Sequence, residues 1–280
     1  MQKFAEWIGN KQISEDHCEE HSIHMLQALF NKKDQPVNEM PHLFHWANFL
    51  PVVNQSEIAA DGHPKKGDFL PPIPFPRRMW AGSRLEFIQP ILVGQELRRV
   101  SEISDIQFKH GKNGELYFVT VNHFIYANDE LVIKEQQDIV YKPETIITNN
   151  VSVTKTPVES TRRNYSFKQQ HSVDTTALFR YSALTFNGHK IHYDRPYAMQ
   201  VEGYPGLVVH GPLLATLLMQ TLQDKYPDKI IKKFEFRAVK PVFDFNEFYI
   251  CGDVQEQTAE LWIEHSDGHI AMKAKLTFQE

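Results

Sequence analysis

The sequence predicts an α+β fold built twice over, each half a helix followed by an antiparallel meander of strands. Two observations predict it. A helix-like stretch followed by several strand-like segments occurs once before and once after a polar linker at roughly residues 143–166. The halves also share local wording: Leu85-Glu86-Phe87 with Pro90 answers Phe234-Glu235-Phe236 with Pro241, and DELVIKEQQDIVY answers DGHIAMKAKLTFQ. The halves are accordingly placed at residues 1–146 and 147–280.

The elements follow in order. Residues 13–31, ISEDHCEEHSIHMLQALFN, space Ile23, Leu26, Leu29 and Phe30 like a helix, with acidic residues early where they suit the helix dipole. A turn-rich bridge comes next. In DGHPKKGDFLPPIPFPRRMW, Pro64, Pro71, Pro72, Pro74 and Pro76 forbid a regular helix or a central strand. From Ser83 the chain reads as strands, RLEFIQPIL, ELRRVSEISDIQF, ELYFVTVNHFIYA and ELVIKEQQDIVYK, separated by turn signals such as GKNG at 111–114 and Asn128-Asp129. After the linker, a helix from Pro212 to Tyr226 precedes KFEFRAVKPVF, EFYICGDVQEQ, AELWIEHSDG and HIAMKAKLTFQ. Two such sheets can join side by side and let their helices pack antiparallel. Their edges need covering, and the Pro-rich bridge is a candidate cover.

Composition narrows the function. The 280 residues are 41% hydrophobic and 23% charged, with 30 basic and 35 acidic side chains for a net charge of −5, an ordinary soluble globular composition that argues against non-specific nucleic-acid binding. Cys18 and Cys251 lie far apart without metal-type spacing and read as free thiols in a reducing compartment. The N-terminal stretch has no signal-like apolar core, and no segment approaches 18 uninterrupted apolar residues, so a cytoplasmic location away from membranes is expected. Neither a G-x-G-x-x-G fingerprint nor a P-loop is present.

The chemistry concentrates in one stretch. Asn187, His189, His192, Tyr193 and Asp194 fall within eight positions. His210-Gly211-Pro212 then opens the apolar run Leu213 to Leu222, whose first-turn N–H groups have no intrahelical partners. An imidazole acid/base next to unpaired amides suits enolate chemistry.

Phe186 to Asp194 (FNGHKIHYD), then Tyr197-Ala198, then Val209-His210-Gly211, resembles the MaoC-type hydratase motif, in which Asp-x-Asn-Pro-x-His precedes a His-Gly turn into the helix of a hot-dog fold. SALTFN, HKIHYDRPYA and EGYPGLVVHGP, with DGHP, FLPPIPFPRRMWAG and EQQDIVY in the first half, are similar to the FAS1-like dehydratase group. That group includes mesaconyl-type and itaconyl-type CoA hydratases and type 2 hydroxyacyl-thioester dehydratases. The resemblance spans about residues 40–280. It implies a double hot-dog hydro-lyase that reversibly adds water to an enoyl thioester of coenzyme A, which enters as substrate, with no separate cofactor and with dimer formation open. It also implies that the half lacking the motif forms the acyl or coenzyme pocket. One departure stands out: with the motif's His at His192, Asn187 occupies the place of the catalytic Asp and His189 that of the Asn. A neutral amide cannot accept a proton as a general base.

Hydration of an α,β-unsaturated thioester needs a base for water, a proton for the α-carbon, and donors for the thioester oxygen. His192 suits the first two because imidazole titrates near pH ~6.5. Asn187 can position the water, and the Gly211 amide can serve the developing oxyanion. On a regular helix Asn187 and His192 would point about 140° apart, so they cooperate only across a turn, which Gly188 permits. Each residue also has a structural reading. His189 can be a second catalytic group or an orienting one, Asp194 can brace an imidazole or cap the segment at Pro196, and Gly211-Pro212 can simply start a helix.

His189, His192, Asp194 and His210 form a mixed donor set, yet their spacing matches no zinc signature and no metal is expected. In the first half stand Asp61, His63, Arg77, Arg78, Trp80 and Arg84. Arg77, Arg78 or Arg84 could hold coenzyme phosphates or a distal carboxylate, or form a solvated basic turn. Trp80 and Phe69 suit a pocket wall or a core. A short branched dicarboxylic acyl-CoA of the mesaconyl or itaconyl kind is the favoured substrate. A 3-hydroxyacyl thioester of fatty-acid synthesis, an acyl-CoA thioesterase activity and a non-catalytic acyl-CoA binding module remain as alternatives.

Overall fold

The computed structural model describes residues 3–32, 37–111, 114–143 and 163–279. The expected boundary between residues 146 and 147, most of the linker and the middle of the GKNG turn lie outside the described residues. The first half runs β1 (Lys11–His17), α1 (Glu20–Leu29), β2 (Arg77–Phe87), β3 (Glu96–Gly111), β4 (Gly114–Ala127) and β5 (Glu130–Lys142). The second runs β6 (Phe167–Ser172), α2 (Thr175–Leu184), α3 (Gly211–Lys225), β7 (Ile231–Ala238), β8 (Glu247–Val254), β9 (Thr258–His265) and β10 (Ile270–Phe278).

These strands form one ten-stranded antiparallel sheet in the order β1-β3-β4-β5-β2-β7-β10-β9-β8-β6. Read inward from either edge, the connectivity is the same. The sheet is thus two five-stranded copies joined at β2 and β7, an α+β double hot-dog. At the seam Leu85 faces Phe234, the two residues equated by sequence, so the pseudo-two-fold axis passes between them. The correspondence of the last strands is looser. Leu85 faces Glu135 while Phe234 faces Leu276, three residues from the Lys273 that the matched strings put opposite Glu135. Ladder irregularities near Ile125 and Ile270 shift the two hairpins differently.

The structure departs from the sequence expectations in several places. Residues 11–17 are an edge strand, not helix: Ile13 pairs with Val100, and helical spacing of apolar residues begins only at Ile23. Each half therefore opens on a strand. The sheet edges are β1 and β6, and the bridge meets β1 at one end, where the Phe49 N–H and the Asn48 side-chain N–H donate to Asp16. It packs Ile73, with Phe69, Leu70 and Phe75, onto Ile103, Ile106, Tyr117 and Val119 as a separate apolar cluster. Helix α1 packs against α2, a partner the sequence did not offer. Helix α2 itself was not foreseen, although Asp174 marks its start by accepting the Ala177 N–H at 2.8 Å.

The two concave faces differ, and the difference creates the site. In the second half, Phe234, Phe236, Ile250, Leu261, Ile263 and Leu276 belong to the core around α3, whose residues Leu213 to Leu222 are all buried. In the first half α1 has 10 residues against 15 in α3. There a polar belt crosses the strands: Ser101 faces His123, which faces Glu135, with Ser83 facing Gln137. Hydrogen bonds tie Ser101 to His123 (2.8 Å), His123 to Gln137 (3.1 Å) and Ser83 to Glu135 (2.8 Å). Buried polar groups of this kind are costly unless paired. The belt borders the cleft described next.

Candidate active site

Two loops build the site, one from each half. After α2, Phe186 turns the chain through a left-handed conformation (φ 49°). Asn187 Oδ1 then accepts the His189 N–H at 3.0 Å, and a single 3-10 turn spans Lys190–His192. Asn187 and His192 are thus related across a turn, as cooperation between them required. His192 Nδ1 lies 2.7 Å from the Val208 carbonyl. A carbonyl only accepts, so Nδ1 carries the proton and Nε2 keeps its lone pair. His210 stacks on His192 at 3.7 Å between ring centroids and meets Ser182 Oγ through Nε2 at 2.9 Å. The next residue, Gly211, starts α3.

The second loop carries Asp61-Gly62-His63. Its backbone crosses that of the first so closely that a Cβ on Gly188 would lie 2.5 Å from the Gly62 carbonyl oxygen, and one on Gly62 (φ +93°) would fall on the Gly188 carbonyl. Only glycine fits such a crossing. The Lys190 N–H to Asp61 carbonyl bond, 2.9 Å, locks it. Asp61 then accepts from the His63 backbone N–H through Oδ1 and from His63 Nδ1 through Oδ2, each at 3.0 Å. The His63 ring lies 4.1 Å from that of His189, which lies 5.4 Å from that of His192. Four imidazoles stand in series, and a carboxylate backs the first.

Burial governs their protonation. His192 is lowered to about 4 by burial, with the Val208 carbonyl opposing and His63 adding to the shift. His189 is driven far below its ordinary value by burial, then by His63, His192 and Arg78. His210 is likewise well below, through burial and the two neighbouring imidazoles. His63 is lowered by burial and by Arg78, against the support of Asp61. Burial would raise Asp61, but the hydrogen bonds and charge of His63 hold it below the usual carboxylate value. Near neutral pH the row of imidazoles is therefore uncharged, beside one ionised carboxylate.

The loops open on a cleft of about 1520 Å³ that reaches the polar belt. It is roomier than the ~300–1,000 Å³ of a drug-sized pocket and suits a long ligand. His192, Asn187, Gly211, His189, His210, Arg78, Arg77 and Trp80 all line it, as do Phe69 and the Pro-rich bridge at Pro64 and Leu70. Trp80 is fixed by its indole N–H, which reaches Ser83 Oγ at 3.0 Å, and its backbone oxygen faces Gly211. Arg77 is already committed, ion-paired with Glu202 at 2.8 Å.

Two assignments fail on geometry. Arg84 pairs with Asp138 at 2.7 and 2.8 Å and with Gln136, away from the cleft, because its strand position points to the other face of the sheet. Asp194 does not line the cleft either; its Oδ1 accepts the Tyr197 N–H at 3.0 Å and caps the segment after Pro196. The sequence reading gave no role to Arg99, whose guanidinium stacks on Phe49 and whose buried Nε has no hydrogen-bond partner among the described residues. Asp61 and His63 were visible in DGHP but not as neighbours of a motif about 126 positions later. Their signal was an acid and an imidazole two residues apart around a glycine.

The cleft, its imidazoles and the helix start beneath them define a hydratase or dehydratase of acyl thioesters on a double hot-dog. The profile of hydroxyacyl-thioester dehydratase type 2 matches residues 43–244, and the chain belongs to that family. It is 42% identical over 272 residues to mesaconyl-C(4)-CoA hydratase of Chloroflexus aurantiacus, covering 96% of this chain and 95% of that one. It is 28% identical to the mitochondrial hydroxyacyl-thioester dehydratase type 2 of Schizosaccharomyces pombe, covering 82% of each. In fold it matches a MaoC-like dehydratase (TM-score 0.73, 12% identity, 97% of this chain and 98% of that one). A Mycobacterium tuberculosis protein described as a double hotdog fold also matches (TM-score 0.65, 13% identity, 97% and 96%).

Proposed function

We propose that this enzyme hydrates a short branched dicarboxylic enoyl-CoA of the mesaconyl or itaconyl kind, with coenzyme A present only as part of the substrate. The observation that carries the reading is His192, whose Nδ1 is fixed on Val208 and whose Nε2 lone pair is free in a cleft that Gly211 also lines. Water gives a proton to Nε2 as its oxygen bonds to the β-carbon, and negative charge moves to the thioester oxygen. The Gly211 amide receives that charge; preorganised donors of this sort supply about 3–4 kcal/mol. The same imidazole then returns its proton to the α-carbon. Dehydration of a 3-hydroxyacyl thioester, the activity in the name of the fission-yeast relative, is this sequence in reverse.

Two observations support a second carboxylate on the substrate. The relative at 42% identity is named for mesaconyl-C(4)-CoA, and Arg78 and Arg99 are both among the residues that line the cleft. We place the reaction in the cytoplasm, consistent with Cys18 and Cys251 being free thiols. The test follows loss of enoyl absorbance with mesaconyl-CoA, itaconyl-CoA and crotonyl-CoA, together with product analysis. Hydroxyacyl-CoA should form fastest from a dicarboxylic substrate, and His192→Ala should lower kcat about 100-fold or more. Release of free thiol without hydration would show a thioesterase instead, and activity untouched by the substitution would remove His192 from the chemistry.

A further inference from the structure

The hydratase reading leaves one task without a residue. The attacking water must present a lone pair to the β-carbon, and Asn187, placed for this by sequence, turns its side-chain oxygen back onto the His189 amide. We propose that His63, fixed by Asp61, is a catalytic residue of this cleft and holds the reacting water jointly with His192. The proposal rests on the hydratase reading and assigns it a residue from the opposite half of the chain.

The argument is one of hydrogen-bond direction. Asp61 is ionised and can only accept, so His63 Nδ1 donates to it at 3.0 Å and His63 Nε2 keeps a lone pair. His192 is set the same way by the Val208 carbonyl. Both residues line the cleft. A water has two O–H groups, and donating one to each imidazole leaves an oxygen lone pair for the substrate. As the C–O bond forms, one proton passes to His192 Nε2, and the other stays on the new hydroxyl, held by His63. His192 then protonates the α-carbon, and both rings are neutral again. Asp61 acts as a positioning residue: it fixes the His63 tautomer, and the Gly62–Gly188 crossing fixes where the pair sits.

Asp61, His63 and His189 also place metal-type donor atoms within 4.8 Å of one another. That set differs from the one weighed in the sequence. Asp61 Oδ2 and His63 Nδ1 already satisfy each other, and the charge of Arg78 acts on Asp61, His63 and His189 alike, which opposes a dication there. The groups facing His63 are thus Asp61, Arg78, His189 and, beyond it, His192.

The test uses the full chain and the enoyl-CoA that the wild type hydrates fastest. His63→Ala should lower kcat about 100-fold with KM within about threefold. His63→Gln, whose side-chain oxygen can accept an O–H, should recover part of the loss. Protonated His63 is a donor and cannot accept from water, so activity falls on the acid side. Because Asp61 supports that proton, Asp61→Asn should move the acid limb of the kcat profile to lower pH, which a merely structural role would not do. Wild-type kcat in both His63 variants, or an unmoved limb in Asp61→Asn, overturns the assignment while leaving the hydratase reading intact. Stoichiometric bound metal whose chelation abolishes activity would overturn it in favour of a metal site. A wild type that hydrates none of the three thioesters removes the hydratase reading and this assignment with it.

Discussion

Mild acid should destabilise this protein through its buried histidines, by an amount the structure allows to be worked out. Burial lowers His192 from 6.5 to about 4. A histidine whose folded pKa lies below its unfolded value binds fewer protons when folded. Its contribution is full above the unfolded pKa and is lost as pH falls from 6.5 towards 4. At pH 5 the unfolded imidazole is about 30-fold protonated over neutral and the folded one hardly at all, which costs about 2 kcal/mol for this residue. His42 and His123 are also lowered to about 4, each chiefly by burial. Both keep some contact with solvent, so each adds less, and the three together cost about 4–5 kcal/mol at pH 5. His63, His189 and His210 act in the same direction. Against a typical stability of about 5–15 kcal/mol, that is a large share. Urea unfolding at pH 7.5, 6.5, 5.5 and 5 measures it, and His123→Gln should flatten the slope. A stability constant within about 1 kcal/mol over that range would refute the protonation states assigned to the cleft.

Two further substitutions probe the framework. Gly188→Ala puts a Cβ 2.5 Å from the Gly62 oxygen, 0.9 Å short of the 3.4 Å at which ordinary contact begins, so the two loops must part. Misplacement of about 1 Å costs up to about 100-fold in rate, and overpacking costs about 1–3 kcal/mol; wild-type kcat with an unchanged urea midpoint would show that the crossing is not tight. Leu218→Ala empties a fully buried position on α3 and should cost about 2–5 kcal/mol in urea unfolding with KM unchanged, since Leu218 does not line the cleft. A loss under about 1 kcal/mol would mean that α3 is not packed as described.

The eight meander strands were legible because apolar residues alternate along them, except that β2 begins at Arg77, inside the RRMW segment that the prolines were expected to keep out of a central strand, and α3 was legible because ten apolar-rich residues follow a Gly-Pro start. The edge strands were not. KQISEDH and FKQQHS carry one strongly apolar residue each, and their pairing with β3 and β8 is a tertiary fact that no local pattern encodes. The packing partner of α1 was equally hidden. In the site, His192 and Gly211 could be read from the motif, and both line the cleft. Arg84 was misread because only strand register shows Asp138 and Gln136 beside it. Asp61 and His63 needed the loop crossing, which two glycines permit and neither announces.

Duplication explains why the site draws on both halves. A hot-dog sheet wrapped on a long apolar helix has no room for a ligand, and α3 fills its own half, with Leu213 to Leu222 buried. Space exists only where the wrapping is incomplete. The shorter α1 leaves the strands of the first half with a belt of Ser101, His123, Glu135 and Gln137 in place of aliphatic side chains. A polar concave face beside an apolar one makes a cleft at the seam, where Trp80 on β2 approaches Gly211 at the start of α3. The half with the apolar core supplies the rigid helix start and the His192 turn. The half with the polar belt supplies the cavity and the Asp61–His63 loop, so the looser packing of one half provides the volume that the chemistry of the other requires.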